Sequence, residues 1–198
     1  MLGLVAWHLT GTHAGAVPGP ALDRLRAARF AAAQRNLAMT GELCRVLRLF
    51  EANGIVAIPY KGPCLAMQVY GNLALRQFGD LDVFVRPEDV AKARSLFEAA
   101  GYRPTPQLTP GQEKRFLRAS YVYTFDHKDK KVRWELHWDF ASPYFGFPLA
   151  PMRIWDRLTW MAIGGVRVPA PSWEDLLLLL CVHGTKHGWE RMIWLCDV

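Results

Sequence analysis

One short segment, residues 79–85, restricts the fold of this chain more than any other. Its apolar and polar residues alternate with a period of two, which predicts a β-strand with two different faces. Leu81 and Val83 would lie on a buried face, and Asp80 and Asp82 on the opposite one. Side chains two apart on a strand lie within about 7 Å of each other. Two carboxylates at this spacing are costly to remove from water without a partner, so we expect them to bind one or two divalent cations.

Residues 132–138 show a second alternation of the same kind. Trp134 and Leu136 would lie on its apolar face, and Arg133, Glu135 and His137 on its polar face. We predict that Glu135 supplies the third carboxylate of the metal site. Residues 121–125 form a further strand pattern, and the polar turn between the two segments predicts a hairpin.

A strand, a glycine and a helix follow one another upstream of the acidic strand. Residues 54–60 are apolar enough for a buried strand, Lys61 and Gly62 come next, and a short helix is predicted from Leu65 to Tyr70. This order forms a cradle for phosphate, because free backbone N–H groups and the helix dipole face the anion.

Together these segments resemble a known family. Lys61-Gly62, Arg76 with residues 79–82, residues 135–138 and residues 183–189 are similar to the uncharacterised bacterial nucleotidyltransferase family of the DNA polymerase β-like superfamily. The resemblance covers roughly residues 20 to 198. It implies a mixed α+β fold, in which a small mixed β-sheet is flanked by helices and followed by a helical C-terminal region.

The same resemblance implies a reaction and its metal ions. A nucleoside monophosphate would pass from an NTP, ATP among the candidates, to a hydroxyl or phosphate acceptor, and pyrophosphate would leave; no residue pattern selects the base of the NTP. Asp80 and Asp82 would ligate two Mg²⁺ ions, with Mn²⁺ as the alternative. Glu135 would bind one metal and help to deprotonate the acceptor.

The nucleotide site is expected to include Lys61, Gly62, Arg76 and Gly79. Lys61 and Arg76 are assigned to triphosphate oxygens, because a point charge and a forked guanidinium both suit phosphate. Most superfamily members have Gly-Ser at the turn, whereas this chain has Gly62-Pro63, so Lys61 is expected to replace part of the phosphate grip. For Arg76→Ala we expect weaker NTP binding with little change in melting temperature.

A histidine pair lies near the C-terminal end of a predicted helix that begins at the capping residue Ser172. His183 and His187 are four apart and share one helical face, a spacing compatible with a metal pair. No glutamate follows His183, and Lys186 lies between the two, so the signature of a zinc protease is absent. We expect His137, His183, Lys186 and His187 to contact phosphate or acceptor, although hydrogen bonding at the helix end is equally consistent.

Composition and charge limit the class of protein. With 198 residues and 51% hydrophobic composition, the chain can bury the core of one domain plus an appendage. A net charge of +6 favours anionic ligands such as nucleotides without amounting to a nucleic-acid footprint. The four cysteines lack C-x-x-C spacing and disulfide density, which favours a cytoplasmic protein. No apolar run reaches the ~20 residues of a membrane span, so we expect no membrane partner.

We divide the chain into an N-terminal arm (1–20), a nucleotidyltransferase core (21–140) and a mostly helical C-terminal region (141–198). Helices are predicted over residues 21–53 and 87–100, the second covering the apolar face of the acidic strand. Residues 141–171, rich in proline, glycine and aromatics, predict a change of region rather than a regular element. The sequence stops inside a helical pattern, so we expect a fragment with more helical chain to follow.

Two alternatives stay open at this point. A D-x-D motif also marks metal-dependent glycosyltransferases, but their nucleotide-binding region would have to precede the motif, where residues 21–53 are predicted helical. A non-catalytic nucleotide- or partner-binding module of the same fold would be consistent with proline in place of the superfamily serine. As acceptor we expect a small molecule, a peptide or a protein, and a nucleic acid end is less favoured.

Overall fold

The computed structural model of the chain describes residues 2–142 and 153–198. Part of the predicted region 141–171 therefore lies outside the described residues. The α-helices of the described part are α1 (Leu2–Thr10), α2 (Gly19–Ala52), α3 (Gly62–Tyr70), α4 (Val90–Ala99), α5 (Pro110–Ala119), α6 (Trp173–Lys186) and α7 (Met192–Asp197). Its β-strands are β1 (Ile58–Pro59), β2 (Asp80–Phe84), β3 (Arg103–Thr105), β4 (Val122–Asp126), β5 (Arg133–His137), β6 (Thr159–Ile163) and β7 (Val166–Ala170).

Five of these strands form one mixed sheet in the order β1-β2-β5-β4-β3. β2 and β5 are parallel, and every other neighbouring pair in this sheet is antiparallel. The predicted hairpin is confirmed, since β4 and β5 pair along their whole length. In the register of β2 and β5, Asp82 lies directly opposite Glu135 and Phe84 opposite His137. The polar faces predicted for the two strands therefore coincide.

The opposite face of the sheet packs against α2 and α4 in the main hydrophobic core. Phe97 of α4 is at its centre, stacked on Phe125 at 4.6 Å and tilted against Trp134 at 5.3 Å between ring centroids. Phe97 also meets Phe50 of α2 edge-on at 5.2 Å. This packing confirms that the helix predicted over residues 87–100 covers the apolar face of the acidic strand.

The long helix α2 links the N-terminal arm to the core. Pro20 lies in its first turn, where a missing N–H breaks no helical bond, and the chain leaves the helix through Gly54 at φ +73°. One face of its C-terminal half is buried, and its N-terminal half contacts α1, where Arg29 donates to Thr10 and lies over the ring of Trp7. Helix α1 was not predicted from the sequence.

The expectation of no regular element before residue 171 is wrong for residues 159–170, which form the hairpin β6–β7. Gly164 and Gly165 make its two-residue turn, both at positive φ, as the tightest hairpins require. Val166 and Val168 are buried in the main core, so one face of the hairpin is anchored there. The prolines of this segment misled the prediction, because proline is tolerated in a two-stranded sheet.

The C-terminal helices bring the end of the described chain back to the polar face of the sheet. Ser172 accepts a hydrogen bond from the Asp175 backbone N–H at 3.2 Å, as a capping residue should. The carboxylate of Asp175 binds the guanidinium of Arg157. Among the described helices, none has the length and apolar character needed to cross a membrane.

Candidate active site

The polar face of β2 and β5 forms the floor of a cavity of about 590 Å³. Asp80, Asp82 and Glu135 all line it, so the structure brings the three predicted carboxylates to one place. Asp82 is 2% exposed, whereas the side chain of Glu135 is 31% exposed. His137 lies behind them, on the same face of β5 as Glu135, and is buried.

Asp82 is held by two basic side chains on one of its oxygens. Lys61 Nζ lies 2.6 Å from Asp82 Oδ1, and His137 Nε2 lies 3.3 Å from the same atom. Asp82 Oδ2 is buried and has no hydrogen-bond partner within the described ranges. A buried, unpartnered carboxylate oxygen beside a second carboxylate is a suitable ligand for a hard divalent cation. The donor set of this site therefore fits a metal ion.

Burial and charge separate the two aspartates of β2. Burial raises the pKa of Asp80 to about 6, and the charge of Asp82 adds to the effect. Burial would also raise the pKa of Asp82. The charge of the adjacent Lys61 and the hydrogen bond with His137 outweigh burial and hold this pKa below its ordinary value. Burial alone would lower the pKa of Lys61, yet the charges of Asp82 and Glu135 raise it. Lys61 is therefore a buried ammonium paired with an ionised Asp82.

The predicted phosphate cradle lies beside these groups. Helix α3 begins at Gly62, three residues before the predicted start, and Lys61 is its N-cap residue. Gly62 has φ +56°, a conformation that residues with a side chain adopt only at a cost. Pro63 lies in the first turn, where the absence of its N–H breaks no helical hydrogen bond. Lys61 and Gly79 line the cavity, whereas Gly62 is buried and is not among the lining residues.

Arg76 also lines the cavity, but its guanidinium is already paired. Its Nε and Nη2 donate to the two carboxylate oxygens of Asp197 at 2.8 and 2.7 Å, and Tyr70 donates to Asp197 Oδ1 at 2.7 Å. Both charged side chains are buried. Arg76→Ala should therefore destabilise the fold, contrary to the sequence-based expectation of little change in melting temperature. The role of Arg76 on the triphosphate stays a prediction.

The far wall of the cavity comes from α6 and α7. The rings of His183 and His187 lie 4.8 Å apart, and each lies within 5.3 Å of the ring of Trp194. Burial lowers the pKa of His183 to about 3, helped by the charge of Lys61, so this imidazole is neutral. Lys186 donates to the hydroxyl of Tyr121 at 2.9 Å, which joins α6 to the residue that precedes β4.

The candidate metal ligands lie on the sheet rather than on α6. Within residues 2–142 and 153–198, the group of acidic and histidine side chains with ligand spacing consists of Asp82, Glu135 and His137. His183 and His187 are four residues apart on α6, and both line the cavity. Their contact with acceptor or phosphate stays a prediction. Several other lining residues, among them Arg35 and Trp194, were not assigned from the sequence, since they lie in no motif.

Comparison with known families decides the class of this site. A family model described as "Uncharacterised nucleotidyltransferase" matches residues 1–198. The chain belongs to this family. The resemblance noted from the sequence is thereby confirmed, and so is the inference that the protein is a transferase. Family membership also removes the glycosyltransferase alternative.

Two solved structures are similar to this nucleotidyltransferase. One is ANT(2″)-Ia in complex with adenylyl-2″-tobramycin, with a TM-score of 0.51 and 15% identity over 75% of this chain and 77% of that one. The other is the lincosamide antibiotic adenylyltransferase LnuA with lincomycin bound, with a TM-score of 0.49 and 18% identity over 70% and 83%. No curated protein matches the sequence. The chain therefore shares the fold of ANT(2″)-Ia, and the predicted mixed α+β fold with a small mixed sheet is confirmed.

Proposed function

We propose that this nucleotidyltransferase moves a nucleoside monophosphate from an NTP to a hydroxyl or phosphate acceptor and releases pyrophosphate. One observation carries the proposal: Asp80, Asp82 and Glu135 line one cavity from adjacent parallel strands, beside the N-terminus of α3. Carboxylates grouped beside an anion-binding helix start are what phosphoryl transfer requires.

Divalent metal ions are part of the proposal. Asp80, Asp82 and Glu135 would hold them, with two Mg²⁺ ions as the first choice and Mn²⁺ as the alternative. The unpartnered Oδ2 of Asp82 supports this assignment. When bound, such ions neutralise charge on the phosphates and make the acceptor oxygen more acidic.

The residues of the chain would then position the two substrates. Lys61, with Gly62 at the start of α3 and Gly79 beside it, would hold the triphosphate, and Arg76 would border it. Glu135 would accept the proton of the acceptor hydroxyl, because its side chain is partly exposed to the cavity while Asp82 is enclosed. Positioning and charge neutralisation would supply most of the rate enhancement.

We infer a small-molecule acceptor bound against the α6–α7 wall, with contacts from His183, Lys186 and His187. The cavity volume of about 590 Å³ supports this inference, because sites for small ligands typically span about 300–1,000 Å³. The similarly folded ANT(2″)-Ia is described in complex with adenylyl-2″-tobramycin, which makes ATP the first donor to test. A peptide or protein acceptor would need an open groove. We also infer a cytoplasmic protein, in line with four free cysteines.

A second candidate is a non-catalytic nucleotide-binding module of the same fold. Two observations favour it: Pro63 replaces the superfamily serine, and Asp197 occupies the guanidinium of Arg76. Such a module would bind NTP and Mg²⁺ without releasing pyrophosphate.

The test combines binding and turnover. Melting temperature is measured with each of the four NTPs plus Mg²⁺, on the parent and on the double variant Asp80→Asn/Asp82→Asn, with Asp23→Asn as an exposed control. Ligand at a hundredfold excess over its Kd adds about 2.7 kcal/mol, or about 5–11 °C for a chain of this size. We expect a metal-dependent shift that the double variant loses, together with pyrophosphate release when acceptors are supplied. No shift with any NTP would overturn the proposal, and a shift without pyrophosphate release from any acceptor class would favour the non-catalytic module.

A further inference from the structure

We infer that His137 is a direct nitrogen ligand of a divalent ion shared with Asp82 and Glu135. The site would then bind one ion through mixed nitrogen and oxygen ligands rather than through carboxylates alone. This inference rests on the proposed function, which requires a metal ion, and adds to it the ligand set and the class of metal.

The strand register produces the grouping. Glu135 and His137 are two apart on β5 and share a face, while Asp82 on β2 lies opposite Glu135. His137 Nε2 lies 3.3 Å from Glu135 Oε2 and 3.3 Å from Asp82 Oδ1. Ligand atoms bound about 2.1 Å from one ion at tetrahedral or octahedral angles are separated by about 3.0–3.4 Å. The separation of His137 Nε2 from Glu135 Oε2 falls in this range, and ligand atoms of Asp82, Glu135 and His137 all lie within 4.8 Å of one another.

Hydrogen bonding alone accounts poorly for the position of His137. Its Nε2 faces Asp82, Glu135 and the hydroxyl of Tyr60, which is 3.4 Å away. Asp82 Oδ1 already accepts from Lys61, so the close approach of Nε2 to both carboxylates exceeds what a single ring N–H can use. Ring contacts with Tyr60 and Phe84 hold the imidazole in this orientation. A cation between the imidazole and the carboxylates would satisfy all three groups together.

Asp82 has an oxygen to offer to such an ion. Lys61 occupies Oδ1, while Oδ2 is buried without a partner in the described part of the chain. Among the described side chains, Asp80 is not part of the group with ligand spacing. It lies on β2 two residues before Asp82, opposite Arg133, and lines the same cavity. Asp80 is thereby left for a second ion on the side of the triphosphate.

The ligand set has a consequence for metal choice. Mg²⁺ prefers oxygen ligands, whereas imidazole binds divalent transition metals well. We therefore expect this inner position to bind Mn²⁺, which is also a paramagnetic probe, more tightly than Mg²⁺. His137→Gln should lower Mn²⁺ affinity about tenfold or more and change Mg²⁺ affinity less.

The experiment is pulsed electron paramagnetic resonance on the full chain loaded with Mn²⁺. We expect modulation from a directly bound ¹⁴N in the parent, replaced by ¹⁵N coupling when the protein is made with ¹⁵N-histidine. The modulation should persist in the matched controls His183→Gln and His187→Gln, which line the same cavity, and disappear in His137→Gln. The isotope experiment uses the parent protein, so it decides the question even where His137→Gln fails to fold.

Three results would overturn the inference. Bound Mn²⁺ without histidine nitrogen coupling would leave the carboxylate site and the proposed function standing and remove His137 as a ligand. Coupling lost in His183→Gln or His187→Gln would place the ion on α6 instead. No Mn²⁺ binding in the presence or absence of NTP would overturn both this inference and the metal-dependent function.

Discussion

Replacement of Asp197 by alanine tests how α7 is attached to the wall of the active-site cavity. The carboxylate of Asp197 accepts two hydrogen bonds from Arg76 and one from Tyr70, all between 2.7 and 2.8 Å. The side chains of Arg76 and Asp197 are only 7% and 1% exposed. Removing one partner from such a buried pair costs about 3–5 kcal/mol, because the remaining charge has no compensation.

The size of this effect can be measured as a change in melting temperature. For a chain of this length 1 kcal/mol corresponds to about 2–4 °C, so Asp197→Ala should lower the melting temperature by about 6–20 °C. Arg76→Ala should fall in the same range. The double variant Arg76→Met/Asp197→Leu removes both charges and should recover much of the loss. Asp23→Ala is the control, because Asp23 pairs with Arg26 at 3.6 Å in an exposed position and should contribute less than about 0.5 kcal/mol.

Thermal and urea unfolding followed by circular dichroism provide the assay, with NTP binding measured on the same samples. A loss below about 1 kcal/mol in Asp197→Ala would refute the reasoning. So would a double variant whose loss equals the sum of the two single losses, since that result would mean that the two charges do not interact.

Three further predictions concern the site and the core. Glu135→Gln should lower kcat for pyrophosphate release about 10²–10⁴-fold with little change in melting temperature, and an unchanged kcat would remove Glu135 as the base. Burial raises the pKa of Glu42, but hydrogen bonds from Arg45 and two other side chains lower it to about 2. Glu42 should therefore contribute on the order of 3 kcal/mol at neutral pH, lost as the pH falls from about 4.5 towards 2; urea unfolding across this range should show a smaller loss in Glu42→Gln. Gly62→Ala should cost about 1–2 kcal/mol, because alanine is strained at φ +56°, and should weaken NTP binding; unchanged stability would show that the turn relaxes.

The central strand pair could be predicted from the sequence because alternation is a local property of an extended backbone. Residues 79–85 and 132–138 each have an apolar face and a polar face. When the apolar faces are buried on one side of the sheet, the carboxylates must lie on the other side. Asp82 and Glu135 accordingly lie opposite each other. Helix α4 followed from its helical periodicity, and the start of α3 differed by only three residues.

Elements with conflicting local signals were missed. The hairpin β6–β7 contains prolines that indicate a break, and its glycine turn was outweighed by them. Helix α5 follows a polar loop and begins at Pro110, where the capping pair Thr109 and Gln112 was the available signal. In both cases packing against the core decides the structure, and a short window of sequence does not contain that packing.

No sequence pattern predicted which charged side chains pair with each other inside the site. Asp197 lies 121 residues from Arg76, and no motif connects them. Lys61 and His137 likewise meet on a single oxygen of Asp82 from different elements. The sequence by itself determined which face of the sheet carries the carboxylates, because periodicity acts between neighbours along the chain. Only the tertiary structure decided which cation neutralises which carboxylate, because Coulomb attraction and burial depend on distances that the chain sets when it folds.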